Sequence, residues 1–130
     1  MGIVTFVDET TAGERRPARG LEIAEERLTA RELIRRRVFQ EVAEYDARTP
    51  QVFQGLVQPT DSERALNGYA LRTPRRLDPE AQTGLALRAF AGNGFLMLVG
   101  DRQITGPDEE IALPLGTEVT FLKLVALVGG

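Results

Sequence analysis

The hydrophobic positions change period along the chain. "GIVTFVDE", from Gly2 to Glu9, is β-branched and partly alternating, which predicts a strand. "TTAGERRPARG" is rich in turn residues and charge and reads as a loop. "LEIAEER" sets Leu21 and Ile23 against Glu22, a half-buried strand, so the chain opens with a hairpin. The period then becomes helical. In "TARE", Thr29 is an N-cap and Glu32 follows three residues later, which is a capping box. Ala30, Leu33, Ile34, Val38, Val42 and Tyr45 recur at steps of three and four and predict one apolar stripe on a helix of about four turns. "RTP" at Arg48 to Pro50 stops it, because the residue before proline avoids the α region.

From Gln51 to Arg76, short apolar pieces are mixed with Pro, Gly and Asn. This stretch reads as one short strand (Val52 to Val57) and one helical turn (Asp61 to Leu66), with "NGY" at Asn67 to Tyr69 marking a turn. Phe53, Leu56, Val57, Leu66, Tyr69 and Leu71 need burial, so the stretch is not disordered. A second helix follows, with Asp78 as its cap, Pro79 at its first position and Gly92 to Gly94 at its end. Ala81, Leu85 and Ala89 share one of its faces, with Ala86 and Phe90 beside them. "FLMLV" then predicts a buried strand, and Gly100 and Asp101 form a two-residue hairpin signal before "RQIT". "GPDEEIALPLG" is a connection holding the short run Ile111 to Leu113.

"TEVTFLKLVALV" is apolar on both faces, as befits a strand inside a sheet covered on one side by helix. The expected layout is α+β, with the last strand in the middle, parallel to the first, and the capped helix across one face.

A chain of 130 residues fits one domain, 1–130, and can bury a real core. It contains no Cys and no His. That excludes disulfides, thiolate metal sites and a cysteine nucleophile, and it removes the commonest general base. The inventory leans away from an enzyme. A net charge of −3 gives no overall field toward nucleic acid. No apolar run reaches the length of a membrane span, and "MGIVTFVDET" lacks the regions of a signal peptide, so a cytoplasmic protein is expected.

Arg35, Arg36 and Arg37 form a basic run. They read as a solvated face paired with Glu41 and Glu44 rather than as an anion site. Asp101, Asp108, Glu109 and Glu110 read as acidic residues of a surface loop, and no metal site is expected. Lys123 is the sole lysine.

The chain closes on "GTEVTFLKLVALVGG". This stretch, with the hairpin and capped helix at the start, resembles the β-grasp superfamily, which includes ubiquitin and the prokaryotic sulfur carriers of molybdopterin and thiamin synthesis. Those proteins run their final strand into a tail ending in Gly-Gly, and "GTEVTF" is close to the approach the small carriers share. The resemblance covers Gly2 to Val42 loosely and Phe95 to Gly130 well. It leaves an insertion at 49–93, which makes the chain more similar to the longer bacterial ubiquitin-like modifiers.

The resemblance implies that a ThiF-like enzyme, using ATP, adenylates the carboxylate of Gly130. Transfer to a target protein then involves a conjugating enzyme, and a JAB-type protease reverses it. No cofactor is bound, and neither nucleic acid nor membrane is a partner. Glycine suits the last two positions, Gly129 and Gly130, because a Cβ there would crowd a chain threaded to the nucleotide. A tail from about residue 124 to 130 would supply reach at about 3.3 Å per residue. Val125, Leu127 and Val128 are the expected contacts for the activating enzyme, which would pair with the oily tail as an added strand. Val125 and Leu127 would equally suit a strand that stays in the core, and both readings are open. Lys123 is the possible acceptor for chain growth; its place in the last strand favours mono-modification. The alternatives are a sulfur carrier, in which Gly130 becomes a thiocarboxylate, and a β-grasp module that only docks a partner.

Overall fold

In the computed structural model, residues 2–48, 52–65, 68–71 and 76–124 are described. The chain divides into two compact units, one built from Met1–Ala30 and Phe90–Gly130 and the other from Arg31–Ala89. The class is α+β, with a mixed sheet and two long helices. No helix among the described residues is long and apolar enough to cross a membrane.

The first unit is organised by a five-stranded sheet. Its strands are β1 (Gly2–Thr10), β2 (Arg15–Ile23), β6 (Phe95–Val99), β7 (Arg102–Ile104) and β9 (Glu118–Lys123), in the order β2-β1-β9-β6-β7. The pairing of β1 with β9 is parallel, and all the others are antiparallel. The last strand is therefore central and lies parallel to the first, as its two apolar faces require. Val4 and Phe6 of β1, Phe95 and Met97 of β6, and Val119 and Phe121 of β9 are buried on one face. Phe121 meets Phe6 edge-on at 5.5 Å between ring centroids and Phe95 at 5.8 Å, and Phe95 stacks on Phe90 at 5.7 Å. Edge-on and offset contacts of this kind are the favoured aromatic geometries.

Two loops expected from composition are strands. "ERRPARG" continues β2 back to Arg15, so only Thr11–Glu14 turns the chain. Pro17 has no N–H for a ladder, yet it stands opposite Val7 while Arg19 stands opposite Phe6. A bulge on an edge strand accommodates it, and the edge is where proline is tolerated. In "GPDEEIALPLG", β8 (Glu110–Ala112) pairs with β3 (Arg27–Thr29) as a separate two-stranded sheet. At the hairpin between β6 and β7, Gly100 takes a φ of 60°, which glycine adopts without strain.

The second unit begins within α1 (Ala30–Arg48), which opens directly after Thr29. Leu33, Ile34, Val38, Val42 and Tyr45 are all buried, so the apolar stripe is where its period put it. The region of 61–66 expected as a helical turn is instead β4 (Ser62–Ala65), paired antiparallel with β5 (Gly68–Leu71). Of the strand expected at 52–57, only Phe53 pairs, exchanging two backbone hydrogen bonds with Tyr69 at 2.7 and 2.9 Å. Gly68 permits that approach, since a Cβ there would lie 2.5 Å from the Phe53 carbonyl oxygen. In α2 (Pro79–Ala91) the Asp78 carboxylate accepts the Glu80 N–H at 3.0 Å, a capping bond at the expected residue. The buried face of α2 is not the alanine row: Gln82, Thr83 and Ala86 are buried while Ala81 is exposed. The Gln82 amide donates to the Val57 carbonyl at 2.8 Å, which explains a polar residue on that face.

The basic run of α1 also departs from expectation. Arg36 pairs with Glu32, and Arg35 lies near Glu32 and over the Phe39 ring at 4.3 Å. Arg37 and Glu41, by contrast, are buried, with 2% and 3% of their side chains exposed, and they meet at 3.2 Å. The second oxygen of Glu41 accepts the Leu56 N–H at 3.2 Å. This carboxylate fixes the backbone after Phe53 to the helix. Breaking one side of a buried pair leaves an uncompensated charge, whereas replacing both sides by apolar groups does not. Glu41→Ala is expected to cost roughly 3–5 kcal/mol in urea unfolding, and the Arg37→Met/Glu41→Leu double variant clearly less.

Candidate functional site

The residues singled out for tail chemistry lie at the end of β9. Val125, Leu127, Val128, Gly129 and Gly130 fall outside the described residues. The structure describes β9 and, after it, Leu124. Val119 and Phe121 anchor the strand in the core, and Thr120 and Leu122 on its other face are half-buried. Leu122 lies in register between Glu9 of β1 and Leu96 of β6. Among the described residues, Lys123 is the last paired one, between Thr10 and Phe95, and its carbonyl accepts the Thr11 N–H at 3.1 Å. Leu124 follows with 48% of its surface exposed.

The turn beside the end of β9 is held by hydrogen bonds of Thr10. Thr10 N–H donates to the Glu14 carbonyl at 2.9 Å, Gly13 N–H to the Thr10 carbonyl at 3.0 Å, and Glu14 N–H to the Thr10 hydroxyl at 3.3 Å. Thr10 therefore holds both the hairpin turn and the register of Lys123. At the other end of β9, Glu118 pairs with Arg15 of β2. The hydrogen bond and charge of Glu118 raise the Arg15 pKa further above its ordinary range.

The Lys123 side chain continues the face of Val119 and Phe121 and is partly buried. The Lys123 backbone is paired along both edges, with Thr10 and Phe95.

Within the acidic stretch Asp101 to Glu110, Glu109 is tied to the backbone and both Glu109 and Glu110 lie near arginines. Among the described residues, no group of three or more acidic side chains is placed to hold a metal ion. Glu109 accepts the Thr105 N–H at 3.2 Å and pairs with Arg102, while Glu110 faces Arg27 at 3.9 Å. The pairing of the arginine run with Glu41 was expected, but as a solvated pair; its burial was missed in the sequence. Its signal was the helical period itself, since both residues continue the steps of three and four that join Leu33, Ile34, Val38 and Val42.

No family model, curated protein or solved structure matches the chain.

The Glu109 carboxyl is held below its ordinary value of 4.5, first by the Thr105 N–H and, against some desolvation, by Arg102. A lowered folded pKa contributes stability above the unfolded value, and that contribution is lost as pH falls through the folded one. Glu109→Gln is therefore expected to flatten the acid limb of stability below about pH 4.5, measured by thermal unfolding across pH.

Proposed function

We propose that the chain is a ubiquitin-like protein modifier of β-grasp fold, activated at the carboxylate of Gly130 and joined through it to targets. The observation that carries this reading is the position of β9. It is central and parallel to β1, is paired along both edges as far as Lys123 among the described residues, and leads in sequence through "LVALVGG" to the two glycines. The sheet order, with one hairpin before the helix and another after it flanking the first and last strands, supports the same family resemblance.

In this reading the folded part supplies surfaces and the tail supplies the reacting group. A ThiF-like enzyme joins the Gly130 carboxylate to the α-phosphate of ATP and releases pyrophosphate. An enzyme cysteine then displaces AMP to give a thioester, and a target amine displaces the thiol. Glycine at 129 and 130 leaves room for nucleophilic attack at the carbonyl.

The sulfur carrier is the second reading. The apolar tail and "GTEVTF" favour it, and a sulfur donor would then replace one carboxylate oxygen of Gly130.

Intact mass of the protein from its own cells should show Gly130 as the last residue. With ATP and a ThiF-like enzyme from the same organism, an adenylate and an enzyme-linked thioester are expected. A mass gain matching sulfur in place of oxygen would select the carrier instead. Gly129→Val/Gly130→Val should lower activation by at least about a hundredfold, the scale of loss when reacting atoms are misplaced. Full cellular activity of a chain lacking both glycines would rule out either tail reaction. Linkage mapping of conjugates should show single modifiers; a ladder joined at Lys123 would contradict the placement of that side chain.

A further inference from the structure

We propose that a recess at the start of β1 docks a segment of a partner protein carrying an aliphatic or aromatic side chain next to arginine or lysine. The recess has a volume of about 560 Å³ and lies wholly within the first unit. The start of β1, Ile23 at the end of β2 and Glu25–Arg27 line one part of it, and the turn Leu113–Leu115 lines another. Two of the three exposed large hydrophobic residues among the described residues border it, Ile3 at 61% and Leu115 at 90%.

Leu115 is held out by a determined turn. The Thr117 N–H and hydroxyl both donate to the Pro114 carbonyl, at 3.1 and 2.6 Å, and Gly116 between them takes a φ of 84°. The Leu113 N–H donates to the Glu26 carbonyl at 2.8 Å, which ties this turn to the other part of the lining. An apolar side chain presented on a fixed backbone loses little freedom on binding.

The charge around the recess selects the partner. Glu25 and Glu26 line it, and Glu22 stands beside Ile3 in the antiparallel pair. Among the described residues, Arg27 is the one basic residue in the lining, and it faces Glu110 at 3.9 Å. Exposed Ile3 and Leu115 beside a lining with more acidic than basic residues complement a basic, apolar segment and repel an acidic one.

The position matters as much as the chemistry. β1 and β9 run parallel, so Ile3 lies at the opposite end of the sheet from Thr10 and Lys123. Seven residues of strand separate the two ends, about 23 Å. A partner in the recess leaves the end of β9 clear, and the proposal holds whatever chemistry the tail performs.

The test titrates the isotope-labelled full chain with a blocked hexapeptide of alternating arginine and leucine, followed by backbone amide NMR. Saturable shifts are expected at Ile3, Glu26 and Leu115. Leu115→Ser and, separately, Glu25→Gln/Glu26→Gln should each weaken binding about fivefold or more, with the remaining spectrum unchanged. A glutamate–leucine peptide should not bind. Absence of shifts at the recess, equal binding of the acidic peptide, or insensitivity to both variants would overturn the proposal. So would a dimer in sedimentation that Leu115→Ser abolishes, since the occupant would then be a second copy.

Discussion

The parallel pairing of β1 with β9 is the constraint on which the first unit depends. It joins Thr5 to Glu118 and Thr10 to Lys123, so nearly the whole chain is a loop closed by one ladder. The length-dependent part of that closure costs on the order of 4 kcal/mol in chain entropy. Hydrogen bonds along the ladder do not offset this alone, since each is worth about 1 kcal/mol net. Burial does: Phe6 and Phe121 meet edge-on across this pair, and Phe95 joins them from β6. Removing a buried phenylalanine typically costs about 3–5 kcal/mol, comparable to the closure itself. The aromatic cluster and the closing ladder therefore stand or fall together.

The second unit solves a different problem. It must order a stretch whose strands are only four residues long, with few backbone pairs to share. Side chains take over where the ladder stops. Glu41 receives the Leu56 N–H, Gln82 reaches the Val57 carbonyl, and Asp46 receives the Leu77 N–H at 3.1 Å. Buried polar groups of this kind constrain a chain because each has one satisfying geometry and a costly alternative. The Arg37–Glu41 pair contributes placement more than net stability, as a buried ion pair gives back most of its attraction in desolvation.

The elements legible in the sequence were those whose signal is local and repeated. The stripe from Leu33 to Tyr45, the cap at Asp78 and the glycine turn at Gly100 each stand at the predicted residues. The central place of β9 was legible too, because both of its faces are apolar. The misread strands have one cause: pairing is decided by the partner strand. "ERRPARG" carries turn residues and charge, yet it becomes strand because β1 offers an edge and a bulge admits Pro17. "SERA" becomes strand because "GYAL" lies opposite. For the candidate site, the sequence placed Val119 to Lys123 in a central strand, and the structure pairs them on both edges, while Val125 to Gly130 lie outside the described residues. The recess beside Leu115 was not legible, because its walls come from segments about ninety residues apart that only the folded ladder brings together.

One consequence of the β1–β9 geometry is mechanical. The two strands are neighbours and point the same way. A load applied between the start of β1 and the end of β9 therefore acts along the ladder, and its cross-strand bonds resist together instead of opening one after another. The antiparallel pair β6–β7, pulled from its free ends, would open like a zip. A machine that grips the chain beyond Lys123 and pulls would thus meet the stiffest direction of the sheet first. A protein anchored by this end would transmit tension to whatever it is attached to before it gave way itself.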